Sequence, residues 1–180
     1  VILSRAGFTA VASSQQDSGL AAGNVLDGDG LTMWHSQWSP LVNLPHTITI
    51  SFGGGTRNVA GVVILPRQDN NAGNKNGYIG QYTVEAILNG AATQVASGSF
   101  ADTRGAKTVT FPARAATGIR IKALTEAGNR GQWTSIAEVN FLGYTGEIPG
   151  TQAGKFGLWS PVINMPLVPV AAALLPNGKV

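Results

Sequence analysis

The chain contains no cysteine among its 180 residues. That excludes disulfides, thiolate-bound zinc and cysteine nucleophiles together. A core of this size does not need crosslinks, so export from the cell remains compatible with the composition. Charge is scarce too: Asp, Glu, Lys and Arg make up 12% of the chain, with 12 basic against 9 acidic residues. The basic residues form no run or cluster, so a nucleic-acid-binding face is not expected. Histidine occurs only as His35 and His46. No Ser–His–Asp spacing, zinc cluster or phosphate-cradling glycine loop ahead of a helix is visible, and no catalytic machinery is expected. The most apolar stretch, from Pro161 onward, is broken by four prolines, which argues against a membrane span. The chain opens on Val1 with no basic and apolar leader, as after removal of a signal peptide or trimming.

What is abundant is small and neutral. Gly alone accounts for 24 residues, and low charge with many turn formers is typical of secreted all-β domains. Helical periodicity is confined to the stretch around Gly19–Leu26. Elsewhere short alternating runs lie between Gly, Asn and Pro: residues 46–52, 59–65, 82–88, 93–100, 107–111, 118–124 and 136–144 all read as strands. The expected fold is therefore all-β, an antiparallel sandwich or jelly roll. Its polar loops at 68–77 and 125–133 would cluster at the ends, where such folds carry function. The composition changes after Tyr144. Residues 145–161 read as a Gly- and Pro-containing linker, and 162–180 as the start of a second domain.

Three local patterns can carry chemistry. In "LDGDGLTMWH", Asp27 and Asp29 alternate with glycines and Thr32 follows. The spacing suits either a hard cation held by carboxylates and carbonyls or an Asx turn in which each aspartate bonds its own backbone. From spacing alone the turn is favoured. In "WHSQW", Trp34 reads as core, whereas His35 and Trp38 can face solvent together. A neutral imidazole beside an exposed indole suits a sugar, whose C–H face stacks on the ring while the nitrogen bonds a hydroxyl. A structural histidine is the plainer alternative. In "LPRQDNNAGNKNGYIG", Arg67 leaves a strand for an amide-rich loop, where its guanidinium can fork onto two hydroxyls with Asn74 or Asn76. It can equally pair with Asp69. Beyond these, Trp133 precedes the last strand, and Glu138 lies inside it, where a charge needs a partner or a metal.

Taken in order, "LDGDGLTMWHSQW", "LPRQDNNAGNKNGYIG", "ASGSF", "RIKALTEA" and "WTSIAEVNF" resemble the discoidin or coagulation-factor C-type domain. The resemblance covers residues 1–144 and is specifically to the family 32 carbohydrate-binding modules and the N-terminal module of the galactose oxidase family. "GLWSPVINMPLVPVAAALLPNGKV" resembles the entry into that family's kelch-type propeller. The resemblance implies a galactose-binding-like jelly roll with a site for a galactose-containing glycan built from His35, Trp38, Arg67, Asn76 or Asn74, and Trp133. It also implies a structural calcium or sodium ion on Asp27, Asp29, Thr32 and Glu138, with carbonyls near Asn24 and Ala137. That reverses the preference for a plain turn. The family's copper and its ligands belong to the propeller and beyond, so no copper is expected in this chain. The implied role is a secreted, non-catalytic module that holds a copper oxidase on glycans. The alternative is a spacer with a vestigial sugar site, packed on the propeller. Lipid binding, known for some discoidin domains, ranks lowest, because the loop tips are polar and a membrane partner is not expected.

Overall fold

The computed structural model describes residues 1–69 and 73–144. The linker expected at 145–161 and the propeller start expected at 162–180 lie outside them. Ten strands run in chain order: β1 (Thr9–Ala12), β2 (Trp34–His35), β3 (His46–Ser51), β4 (Arg57–Leu65), β5 (Gln81–Leu88), β6 (Ala91–Ser99), β7 (Lys107–Ala116), β8 (Gly118–Ala123), β9 (Ser135–Ile136) and β10 (Glu138–Gly143). The stretch expected to be helical forms two 3-10 turns, Ser18–Leu20 and Ala22–Leu26. Asp17 starts the first by accepting the backbone N–H groups of Gly19 and Leu20, the usual capping role of an aspartate.

A five-stranded antiparallel sheet, ordered β1-β3-β8-β5-β6, faces a three-stranded one, β10-β4-β7, with the β2–β9 pair as a small third ladder. The fold is an antiparallel β-sandwich of the jelly-roll, galactose-binding-like kind. The alternation visible in the sequence is what sorts the two faces. In β3, His46, Ile48 and Ile50 are buried while Thr47, Thr49 and Ser51 turn outward. The inner faces meet as Ile48, Ile50, Val84, Ile119 and Ile121 from one sheet and Val62, Ile64, Val109, Val139 and Phe141 from the other. Phe8, Phe52 and Phe141 add an aromatic cluster, with ring centroids 4.7 to 5.9 Å apart. β7 runs five residues beyond the expected end, straight through Pro112. It is the edge of the smaller sheet, where a missing N–H breaks no ladder.

The β4–β10 pairing gives the sandwich two distinct ends. Glu138 sits opposite Leu65 at one end, and Gly143 opposite Val59 at the other. Arg67 and Trp133 continue from the first. At the second, the chain's opening residues lie on its final strand: Leu3 N–H bonds Phe141 O at 2.9 Å, Gly143 N–H bonds Val1 O at 2.6 Å, and Ile2 bridges Leu142. Among the described residues no helix is long and apolar enough to cross a membrane.

Candidate sugar-binding site

The short β2 strand decides where the two neighbouring aromatic side chains of the "WHSQW" stretch go. Trp34 pairs with Ile136 and turns inward, 1% exposed, its indole N–H bonded to Ser14 O at 2.8 Å. His35, one residue on, turns to the opposite face. The strand then breaks into a loop anchored by Gln16. Its Oε1 accepts the N–H groups of Trp38 and Ser39, while its own amide donates to Ser39 O. That loop brings Trp38 round beside His35, ring edge to ring face, with centroids 4.7 Å apart.

His35 Nδ1 lies 2.8 Å from Ser36 O. A carbonyl can only accept, so Nδ1 carries the proton and Nε2 is left with a lone pair. Burial pushes the His35 pKa below 6.5, and the positive charge of Arg67 adds to this, outweighing the Ser36 bond. The ring therefore stays neutral near pH 7, with Nε2 as an acceptor.

Arg67 follows β4 and Pro66. Its Nε bonds Asp69 Oδ2 at 2.8 Å, and Nη2 closes an ion pair on the same oxygen. The pairing with Asp69 is thus realised, and Nη1 has no hydrogen-bond partner among the described residues. The main chain of Arg67 is fixed from behind by Tyr78, whose hydroxyl donates to Arg67 O at 3.0 Å. Asn76 is held through its backbone, with Ser135 Oγ donating to Asn76 O at 2.8 Å and Asn74 Oδ1 accepting its N–H. Gly77 has φ of +84°, and a Cβ there would lie 2.6 Å from Ser135 N, so only glycine lets this loop lie against β9. Trp133 lies flat over Gly131, where a Cβ would fall 2.7 Å from the indole. His46, buried in β3, fixes the preceding residue with a 2.9 Å contact from Nε2 to Gln132 O.

His35, Trp38, Arg67, Asn76 and Trp133 line one open pocket of about 210 Å³, with Leu20 and Met33 as its apolar floor. Sites for drug-sized ligands start at roughly 300 Å³, so this one suits a single small unit. Asn74 does not line it. Its side chain is spent on the turn that presents Asn76, and of the two asparagines considered only Asn76 reaches the pocket. Leu20 and Met33 escaped the sequence reading because an apolar side chain carries no chemical signature of a site. Trp38 is 41% exposed, a large indole left open to solvent.

The second cluster forms at the start of β10. Glu138 is 6% exposed; its Oε1 accepts Gly28 N–H at 2.8 Å and its Oε2 pairs with Arg5. Burial raises the Glu138 pKa despite Arg5. Asp27 lies beside it. Burial pushes that carboxyl up, but the bonds from Asp29 N–H and the Thr32 hydroxyl outweigh it, and the net direction is down. Both Asx turns are present: Asp27 Oδ1 accepts Asp29 N–H at 2.8 Å, and Asp29 Oδ1 accepts Leu31 N–H at 2.9 Å. Asp27 Oδ2 and the Thr32 hydroxyl meet at 2.7 Å. Asn24 O lies beneath, bonded by Asp27 N–H. Ala137 is fully buried next to Glu138, its N–H on Leu65 O. The donors are all oxygen, with two carboxylates side by side, which fits a hard cation. The Asp29 carboxylate, by contrast, points into its own turn. No group of three or more His, Cys, Asp or Glu side chains stands at metal-holding distances among the described residues.

Known proteins resemble this chain in sequence and fold. The family model for the F5/8 type C domain matches residues 9–139. A galactose oxidase from Gibberella zeae is 39% identical over 179 residues, which is 95% of this chain and 25% of the oxidase. The chain thus spans about a quarter of that relative's length. Among solved structures, the family 32 carbohydrate-binding module of Clostridium perfringens NanJ, in complex with galactose, is 33% identical with a TM-score of 0.70, covering 78% of this chain and 96% of that one. A CBM32 module from the same organism (CpGH89CBM32-5), in complex with GalNAc-β-1,3-galactose, is 29% identical with a TM-score of 0.72, covering 79% and 99%.

Proposed function

The chain belongs to the F5/8 type C domain family, and from that premise we propose that it is a non-catalytic carbohydrate-binding module for galactose-type sugars. The observation that carries this is the convergence of His35, Trp38, Arg67, Asn76 and Trp133 on one pocket the size of a single ring. Each would act through its own chemistry. Trp133 or Trp38 stacks on the apolar C–H face of the pyranose. His35 Nε2 accepts a hydrogen bond from one hydroxyl. The Nη1 of Arg67 and the Asn76 amide donate to the oxygens of adjacent hydroxyls. Affinity for one sugar is weak, because a shallow site buries little area and the ligand gives up hydrogen bonds to water.

A calcium ion held by the side chains of Asp27, Thr32 and Glu138, by the main-chain carbonyl of Asp29 rather than its carboxylate, and by carbonyls near Asn24 and Ala137, would pin the loop that precedes β2 to the start of β10. The side-by-side carboxylates of Asp27 and Glu138 support this reading, which has the ion hold structure and take no part in sugar contact. For the wider protein, the likeness to galactose oxidase over a quarter of its length supports a secreted parent oxidase carrying a propeller after residue 161. This module would hold that enzyme on galactose-bearing glycans, and any copper chemistry would belong to the rest of the parent. A spacer with a vestigial site has one observation in its favour: Arg67 already directs Nε and Nη2 onto Asp69.

Isothermal titration with galactose, lactose and glucose, in the presence of calcium, separates the two. Saturable heat with galactose and lactose but not glucose is expected. Absence of heat with all three would leave the spacer.

A further inference from the structure

The loop between β6 and β7, residues 100–106, contributes nothing to the lining of the pocket, yet Asp102 and Arg104 within it bond the residues next to Arg67 and the loops that carry Asn76 and Trp133. Arg104 Nε donates to Gln68 Oε1 at 3.0 Å, and its Nη2 donates to Gln68 O at 2.7 Å and Asp69 O at 3.1 Å. Gln68 returns a bond from its amide to Arg104 O at 2.8 Å. These four bonds fix the two residues that follow Arg67, one of which is its ion-pair partner. Asp102 takes both terminal nitrogens of Arg130, at 2.9 and 2.8 Å. Lys75 donates to Asp102 O at 3.1 Å, and Arg130 also donates to Lys75 O at 3.0 Å. Lys75 precedes Asn76, and Arg130 stands at the base of the loop carrying Trp133.

We propose that Asp102 and Arg104 are positioning residues: from behind the pocket they hold Arg67, Asn76 and Trp133 in their binding geometry without touching the ligand. The proposal rests on the sugar-binding reading of that pocket. Its physical basis is that a shallow site cannot also afford to order its own side chains when the ligand arrives. Each side chain that must be immobilised on binding lowers affinity by about two- to tenfold. The bracket is built for geometry: reciprocal Gln–Arg bonding and a two-pronged Arg–carboxylate pair leave little rotational freedom. Isolated surface ion pairs would do far less.

The test uses the full chain, labelled with nitrogen-15, with Arg104→Met, Arg104→Lys and Asp102→Asn variants. Three readouts are needed: galactose affinity, melting temperature, and the ligand-free exchange rate and line width of the Arg67 Nε–H signal. Arg104→Met should bind galactose about tenfold more weakly while melting close to the parent, and should broaden the Arg67 Nε–H signal. Arg104→Lys, which restores a charge and one donor to the carbonyls but not the fork, should recover some of both losses. Asp102→Asn should weaken binding without moving the Arg67 signal. Affinity and Arg67 signal both unchanged in Arg104→Met would overturn the proposal. So would a loss of affinity that follows melting temperature while the signal stays sharp. Should the parent itself bind no sugar, the sugar reading falls, and the Arg67 signal in the ligand-free proteins alone decides whether Arg104 orders that side chain.

Discussion

Removal of the Arg67 side chain should produce two losses that a second substitution can pull apart. Arg67 and Asp69 form a pair whose side chains are 16% and 25% exposed, and the other Asp69 oxygen, Oδ1, is buried with no hydrogen-bond partner among the described residues. Arg67→Ala therefore strands a half-buried carboxylate. The cost lies between the ~0–1 kcal/mol of an exposed pair and the ~3–5 kcal/mol of breaking a buried one. A value of about 2 kcal/mol lowers the melting temperature of a domain this size by roughly 4–8 °C. Sugar binding falls for a separate reason. A hydrogen bond from a charged donor contributes ~1.5–3 kcal/mol, so losing it weakens affinity by about 10- to 150-fold, beyond saturable heat for a weak site. The double variant Arg67→Ala with Asp69→Ala removes the stranded charge, and most of the melting temperature should return while binding does not. Thermal unfolding and titration calorimetry on the three proteins read both effects. Unchanged heats for Arg67→Ala would refute the role of Arg67 in binding. A double variant as unstable as the single one would refute the ion-pair account.

Gly131→Ala places a methyl group 2.7 Å from the Trp133 indole, so the ring must lift. Galactose affinity should fall by several-fold with little change in stability, and an unaltered Trp133 fluorescence spectrum would count against this. Burial holds both His35 and His46 below their ordinary value of 6.5. The unfolded chain takes up protons as pH falls through 6.5 while the folded chain resists. The contribution of these two residues to stability is therefore complete above pH 6.5 and drains away below it, toward their depressed folded values. Urea midpoints at pH 7.5 and 5.5 should differ accordingly, and a His35 ring titrating above 6.5 by NMR would contradict it. Saturating calcium should raise the melting temperature over that in chelator, with about 2.7 kcal/mol gained at a hundred times the dissociation constant. Glu138→Gln should remove most of that gain; equal melting with calcium and chelator in the parent would dismiss the ion.

Most strands were legible because one face of each is buried, which imposes period-two alternation on runs such as residues 46–52 and 82–88. The features that escaped had no such pattern. β1 is four residues at a sheet edge with no buried residue, and β7 hides behind Pro112, which reads as a terminator unless the strand is known to be an edge. Gly19–Leu26 carried helical spacing, but a run of three and another of five residues are too short for more than 3-10 turns. At the site, local chemistry singled out His35, Trp38 and Arg67 as candidates beside plainer structural alternatives, and only the family resemblance joined them with Asn76 and Trp133 as one set. Their supports carried no such signal. Gln16, Gln68, Asp102 and Arg104 are ordinary polar loop residues until the fold sets them beside one another, and the two glycines under Asn76 and Trp133 look like any of the other 22.

The two-ended sandwich has a mechanical consequence. β10 leads from the pocket end to the end where Val1–Leu3 are laced onto it, a span of about 17 Å for its six residues. A load applied between the pocket end and Gly143 runs lengthwise along that strand. Its hydrogen bonds to β4 are then strained side by side, as in a lap joint, and must fail together. Pulled across the strands instead, the same bonds would break in succession, like a zip. The arrangement resists force along β10 better than force across it.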